Sequence, residues 1–206
     1  MSRTEQDLNL YEISDKYILF LQNFKELTHI YNPASVKPLY GNYTQHTRKY
    51  IGIVIKIETD DKKIFNYFAP LSSGKDKDYL LDDNANRLLD ADGCCIPRPD
   101  SMTIIRFCSK GNVLGKVLLA NMIPVPETEL NKYDLKNEPD KKYAAKVKEE
   151  IRCIRRKQDV ICKNAVILYK QKCGKTDLSQ LHPYLKRTIP FKLAETKCCE
   201  FMQRDK

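Results

Sequence analysis

The chain has 206 residues, of which 42% are hydrophobic and 31% charged, as in one globular domain with enough length for a sizeable core. A membrane span needs roughly 20 consecutive apolar residues, and apolar clusters such as Tyr17–Leu21 are far shorter. The polar start MSRTEQDLNL lacks the apolar region of a signal peptide. We therefore predict a single cytoplasmic domain over 1–206, without a membrane partner.

The positive charge is concentrated in the second half of the chain. Residues 1–100 hold 13 Lys/Arg and 15 Asp/Glu (net −2), whereas residues 101–206 hold 23 and 12 (net +11). This asymmetry favours a polyanionic partner, although a lysine-rich helix exposed only to solvent would give the same count.

The eight cysteines indicate reduced thiols. Two pairs are adjacent, Cys94–Cys95 and Cys198–Cys199, and the other four are scattered, with no Cys-x-x-Cys pair and no histidine nearby in sequence. Zinc sites usually show close ligand pairs. We therefore predict no disulfide framework, no metal site and no cofactor.

The first elements are a short strand and an amphipathic helix. Leu10, Tyr11 and Ile13 are strand-like, Ser14 is placed to cap a helix, and apolar residues then follow at helical spacing as far as Phe24. Prolines and polar residues predict a loop up to Lys49.

The clearest secondary-structure signal is a β-hairpin. Isoleucines alternate along Tyr50–Glu58, the polar Thr59–Lys62 turns the chain, and Ile64–Leu71 returns as the second strand. Pro70 has no N–H group and is predicted to end the pairing. The following loop, Ser72-Ser73-Gly74-Lys75, would then leave directly from the end of a strand, which is a common place for functional residues.

The rest of the chain predicts an α+β fold. Residues 76–100 are polar and rich in turn residues, and we expect an irregular insertion without internal repeats. A further hairpin is predicted around Ser109–Asn112. One long helix is predicted over Lys141–Lys172, and several basic residues lie near its middle.

The residues of the loop around Lys75 are compatible with three kinds of chemistry. A phosphate-binding P-loop fits poorly, because Ala69 holds the first glycine position and Asp76 the hydroxyl position. Ser72 and Lys75 satisfy the Ser-x-x-Lys pair of acyl hydrolases, but the partner motifs are absent. In RNA cleavage the substrate supplies its own nucleophile, so a lysine and hydroxyl donors suffice. The alternative to all three is a solvent-exposed turn without a catalytic role.

Four blocks follow one another along the chain: Leu10–Leu21, Arg48–Ile57, Tyr67–Lys75, and Gly115–Leu130 with the helix Ile151–Lys172 after it. In these residues and in their order the chain resembles the ToxN/AbiQ family of type III toxin–antitoxin endoribonucleases. The resemblance implies a twisted antiparallel β-sheet core with surrounding helices, including one long basic C-terminal helix.

The resemblance also implies an activity and a partner. The activity would be metal-independent endoribonuclease cleavage, giving 2′,3′-cyclic phosphate and 5′-hydroxyl ends. The partner would be a small pseudoknotted antitoxin RNA, cut by the toxin from a repeat precursor and bound in a closed protein–RNA hetero-oligomer. The substrates would be cellular or phage RNA rather than DNA, and the role phage defence or plasmid maintenance. The alternatives are a non-catalytic RNA-binding protein and, more distantly, a Ser-Lys acyl hydrolase.

The resemblance assigns candidate roles to particular residues. Ser72, Ser73 and Lys75 would be catalytic, and Gly74, where the family often has proline, would loosen the loop. The candidates for further catalytic or phosphate-binding groups are Tyr43, His46, Arg48 and Lys49. The candidate RNA-binding residues are Tyr17, which equally fits core packing, Lys77, and the helix arginines Arg152, Arg155 and Arg156.

Overall fold

The structure is a computed structural model that describes residues 8–27, 51–174 and 182–204. The strands are β1 (Leu10–Ile13), β2 (Ile51–Glu58), β3 (Ile64–Ser73), β4 (Ile104–Ser109), β5 (Asn112–Leu118), β6 (Ile123–Pro124) and β7 (Leu130–Lys132). The helices are α1 (Asp15–Gln22), α2 (Lys141–Arg156), α3 (Gln158–Gly174), α4 (Pro183–Lys186) and α5 (Phe191–Arg204). In these ranges, no helix combines the length and apolar character that a membrane span requires.

The strands form one antiparallel sheet in the order β4-β5-β3-β2-β1-β7, and β6 pairs with β3. Helices cover the buried side of the sheet. Tyr67 of β3, for example, packs its ring 5.7 Å from that of Tyr169 in α3 and 5.5 Å from that of Phe191 in α5. The prediction of an α+β fold is confirmed.

Strand β3 changes partner along its length. Its first part pairs with β2 as far as Gly52–Pro70, and its last three residues pair with β5 through Leu71–Val117, Ser72–Lys116 and Ser73–Gly115. The pairing with β2 thus ends at Pro70, as predicted, but the strand continues to Ser73, so the expectation that Ser72 and Ser73 lie in a loop is wrong. Proline lacks only its own N–H group, and the neighbour on the other edge of β3 continues the ladder.

Helix α1 begins at the predicted cap. The Ser14 hydroxyl accepts a hydrogen bond from the Tyr17 N–H at 3.2 Å. Tyr17 itself is fully buried, and its hydroxyl donates to the Pro124 carbonyl at 2.6 Å. The interpretation of Tyr17 as an RNA contact is therefore wrong, because the side chain belongs to the core.

The predicted long basic helix is two helices, α2 and α3, which meet at Lys157. The Lys157 ammonium contacts the Asp100 carboxylate at 2.6 Å and the Arg106 carbonyl at 2.9 Å. These contacts tie the junction to the 76–100 segment and to β4. The C-terminal helix is instead α5, which packs on the core with Phe191, Ala194, Cys198 and Phe201.

The segment predicted to be irregular contains a closed ring of hydrogen bonds. The Leu80 N–H donates to the Ile96 carbonyl, that of Leu88 to Leu80, and that of Ile96 to Leu88, each at 2.9 Å. These three residues are spaced eight apart, so the segment is a repeat that the sequence reading missed. In its two turns Asp82 and Asp90 accept backbone N–H groups through their carboxylates. We call residues 79–98 the appendage.

Candidate active site at the end of strand β3

The two predicted catalytic serines lie in β3 rather than in a loop, and Lys75 follows them with an extended backbone. Because side chains alternate along an extended chain, Ser73 and Lys75 share one face, and Ser72 belongs to the other. Two residues of extended chain span about 7 Å, so a single phosphodiester group can reach both the hydroxyl and the ammonium. The structure therefore brings Ser73 and Lys75 together.

Gly74 between them is closely packed. Its N–H donates to the Leu114 carbonyl at 3.2 Å, and a Cβ at this position would lie 2.1 Å from the Val113 carbonyl oxygen. No side chain fits there without a shift of the backbone. The expectation that Gly74 loosens the loop is therefore wrong, since glycine allows the end of β3 to dock against β5.

A buried ion network fixes the chain just beyond Lys75. The Asp78 carboxylate, which is 1% exposed, accepts the Lys75 N–H at 3.0 Å and the Arg106 Nε–H at 3.2 Å, and it contacts the Lys116 ammonium. Burial raises the pKa of Asp78, but hydrogen bonds from Lys116 and Lys75 and the charges of Lys116 and Arg106 outweigh burial and lower it. The Lys75 backbone is thus held by a charged group.

Lys75 lines an open cleft of ≈540 Å³. In the described part of the chain its ammonium makes no ion pair, and the Ser73 hydroxyl makes no hydrogen bond. The Lys75 ammonium is therefore available to a ligand in the cleft, whereas Ser73 is half-buried and is not one of the residues that line it. The cleft is also lined by Gly74, Asp76, Tyr79, Arg87, Asn112 and Val113.

Glu150 of α2 is a buried carboxylate that the sequence reading did not single out. Its Oε1 atom would lie 2.9 Å from a Cβ at Gly115, and Gly115 pairs with Ser73. Paired residues of an antiparallel ladder share a face, so Glu150 lies on the same side of the sheet as Ser73. Burial raises its pKa, and the nearby Lys146 opposes that rise.

The remaining predicted site residues either lie outside the described residues or are exposed on the surface. Tyr43, His46, Arg48 and Lys49 lie outside the described residues. Lys77 is exposed, two residues from Lys75. All three helix arginines are exposed on α2. Arg152 and Arg156 share Glu149 as their ion partner, at 3.1 and 3.6 Å.

The geometry disfavours the two alternative enzyme classes. The Ser-x-x-Lys motif requires both side chains on one side of a helix start. Here Ser72 is in a strand, and a residue three positions later points to the opposite face. A P-loop needs a strand followed by a helix, and only a 3₁₀ turn over Asp76–Asp78 follows β3.

The cysteines and acidic side chains of the described residues form neither a metal site nor a disulfide. In the three ranges that the structure describes, no group of three or more His, Cys, Asp or Glu side chains is arranged to hold a metal ion. All eight cysteines are free thiols in the structure. The metal independence of any reaction stays a prediction.

Comparison with known families decides the classification. A family model described as "Toxin ToxN, type III toxin-antitoxin system" matches residues 9–199. The chain belongs to the ToxN family. Among relatives, the chain is 28% identical over 206 residues to the endoribonuclease AbiQ of Lactococcus lactis subsp. lactis, covering 96% of this chain and 91% of AbiQ.

Two solved structures share the fold of this chain. One, described with selective toxin inhibition by a non-coding RNA pseudoknot, has a TM-score of 0.68 at 18% identity, covering 96% of this chain and 99% of the other. The second, from a bacterial antiviral system regulated by a processed non-coding RNA, has a TM-score of 0.62 at 25% identity, with 94% and 98% covered. The resemblance seen in the sequence blocks is thus confirmed over nearly the whole chain.

Proposed function

We propose that this chain is an endoribonuclease toxin that cuts RNA by attack of the substrate's 2′-hydroxyl at the end of β3. The observation that carries the proposal is that the Lys75 ammonium and the Ser73 hydroxyl, which have no partner among the described residues, share one face of a backbone anchored by buried Asp78. The activity named for the AbiQ relative supports the same reading.

The chemistry needs little from the protein. The 2′-hydroxyl loses its proton, the bond from O2′ to phosphorus forms, the bond to O5′ breaks, and O5′ takes up a proton. The products end in a 2′,3′-cyclic phosphate and a 5′-hydroxyl, and no metal is required. Lys75 and Ser73 would stabilise the charge that develops on the non-bridging oxygens. Asp78 would act by positioning Lys75.

The proposed partner is a small, pseudoknotted antitoxin RNA that the toxin cuts from a repeat precursor and that then blocks the cleft. Pseudoknot inhibition and RNA processing are described for the two structural neighbours. The net charge of +11 on residues 101–206 suits such a polyanion. Assembly into a closed protein–RNA hetero-oligomer and a role in phage defence or plasmid maintenance complete the proposal.

One experiment separates catalysis from RNA binding alone. The family resemblance implies cleavage at adenine-rich sites. The purified chain is therefore incubated with an adenine-rich RNA, with and without EDTA, and the ends of the products are identified by mass spectrometry. We expect cleavage that is unchanged by EDTA, with cyclic phosphate and 5′-hydroxyl ends. A 5′-phosphate product or loss of cutting in chelator would reject the mechanism. Binding without any cutting would support the non-catalytic alternative.

A further inference from the structure

The appendage delivers a second cation to the cleft of Lys75. Arg87 lies between the two turns of the appendage and lines this cleft. Its backbone is fixed by the ring of hydrogen bonds through the adjacent Leu88. Arg87 is therefore presented by an ordered element rather than by a free loop.

The Arg87 side chain rests on a rigid aromatic surface. The guanidinium carbon lies 4.1 Å from the centre of the Tyr79 ring, in the range of a cation–π contact. The Tyr79 hydroxyl in turn accepts the Val113 N–H at 2.7 Å, and the ring is buried. Stacking on a fixed ring removes most of the rotamer freedom that an exposed arginine would lose on binding a ligand.

The guanidinium keeps donors for a ligand. Its Nη2 contacts the Asp76 carboxylate at 2.5 Å, and the Cys95 thiol is a second neighbour. Five N–H donors are available on an arginine, so these partners leave some unused, and the side chain is 39% exposed. A planar fork of N–H groups matches the oxygens of a phosphate.

We propose that Arg87 binds a backbone phosphate of the RNA in the Lys75 cleft, next to the phosphate that is cut. This inference rests on the proposed function and adds a residue outside the blocks that carry the family resemblance. The appendage is then part of the substrate site, and its ordered turns set where the RNA strand lies relative to Lys75.

A purely structural role for Arg87 is the competing explanation, since its contacts with Asp76 and Tyr79 also join the 3₁₀ turn to the appendage. Arg98 provides a matched control. It is an exposed arginine of the same appendage, and its Nε–H donates to the Tyr79 carbonyl at 3.0 Å. Arg98→Gln thus removes one positive charge and one tie within the appendage, but not a residue that lines the cleft.

The test measures binding and cutting separately. Binding is measured with an adenine-rich RNA in which every ribose is 2′-O-methylated, so that it cannot be cut, over a series of salt concentrations. Arg87→Gln should weaken binding about five-fold at about 0.1 M salt and reduce the salt slope by about 0.7, as expected for one lost single-strand phosphate contact. Arg87→Lys, which keeps the charge, should recover part of the affinity and most of the slope.

Cleavage of the unmodified RNA should then show a raised KM in Arg87→Gln with a smaller change in kcat. Melting temperatures identify any unfolded variant. If Arg87→Gln is unfolded, the RNA affinity and salt slope of Arg87→Lys are compared with those of the parent instead. Binding and slope equal to the parent, or a loss no larger than that of Arg98→Gln, would overturn the proposal. If the parent binds the methylated RNA but leaves the unmodified RNA uncut, the proposed function fails, while the comparison of affinities still decides the role of Arg87.

Discussion

The Asp78 carboxylate accepts the backbone N–H of Lys75 at 3.0 Å, which links the candidate catalytic lysine to a buried ion network. The same carboxylate holds Arg106 and Lys116. Lys116 pairs in register with Ser72. The position of the catalytic backbone therefore depends on charges buried beneath it, and not on the loop residues alone.

The first prediction is that Asp78→Asn both destabilises the fold and slows cutting. Asparagine keeps the shape but leaves Arg106 and Lys116, which are 7% and 4% exposed, without their carboxylate. Breaking a buried pair in this way typically costs about 3–5 kcal/mol, which denaturant unfolding would measure. The control is Asp76→Asn, because the Asp76 side chain is 82% exposed and surface pairs are worth about 1 kcal/mol or less. Equal stability of the two variants would contradict the role of Asp78.

The second prediction concerns the fit of Gly74. Gly74→Ala should lower the free energy of unfolding by about 1–3 kcal/mol, the usual cost of overpacking, and should reduce cleavage, because the added methyl group meets the Val113 carbonyl. Gly174→Ala is the matched control, since nothing lies within 4 Å of its added Cβ. A Gly74→Ala protein as stable and active as the parent would show that the end of β3 can move freely.

The third prediction is a pH dependence caused by Glu150. Burial raises its pKa above the usual 4.5, so ionising it costs stability. The contribution of Glu150 is fully present below the ordinary pKa and is lost as the pH rises through the raised value. The melting temperature of Glu150→Gln should therefore rise relative to the parent between about pH 4.5 and neutrality. An opposite trend would mean that pairing with Lys146 outweighs burial.

The fourth prediction tests the exposed basic face of α2. Replacing Arg152, Arg155 and Arg156 with glutamine should weaken antitoxin RNA binding and flatten its salt dependence, because fewer counterions are released. Cutting of short RNAs at saturating concentration should be spared. The control replaces the exposed Lys56, Lys132 and Lys136, so that the same charge is lost from other elements. If the arginine variant binds the antitoxin RNA with the affinity and salt dependence of the parent, these arginines are exposed to solvent and do not contact the RNA.

Local patterns made much of the fold predictable. Alternating isoleucines over Ile51–Glu58 predicted a strand with the isoleucines on one face, and Ile53, Ile55 and Ile57 are indeed buried, although Val54 on the opposite face is buried as well. The cap at Ser14 depends on contacts within one turn of helix, so the sequence around it was sufficient. The order of the strands was not predicted, because it depends on pairing between residues far apart in the chain.

The parts that could not be predicted depend on contacts between distant residues. The extension of β3 past Pro70 requires β5, which lies more than 40 residues further along the chain. The burial of Tyr17 depends on Pro124 and Phe201. The network of Asp78 with Arg106 and Lys116 joins residues that look like ordinary surface charges in the sequence. The repeat in the appendage, by contrast, could have been recognised in the sequence, because Leu-Leu-Asp occurs at both Leu80–Asp82 and Leu88–Asp90.

The most direct test of the central claim is the cleavage rate of a defined RNA by Lys75→Ala, measured beside the neighbouring exposed lysine variant Lys77→Ala and Ser73→Ala. Removing a preorganised group that stabilises transition-state charge typically costs a factor of about 10²–10³ in rate. We predict a loss of that size for Lys75→Ala and for Ser73→Ala, with melting temperatures close to that of the parent, and a much smaller effect for Lys77→Ala. A folded Lys75→Ala protein that cuts RNA at the parental rate would contradict the account.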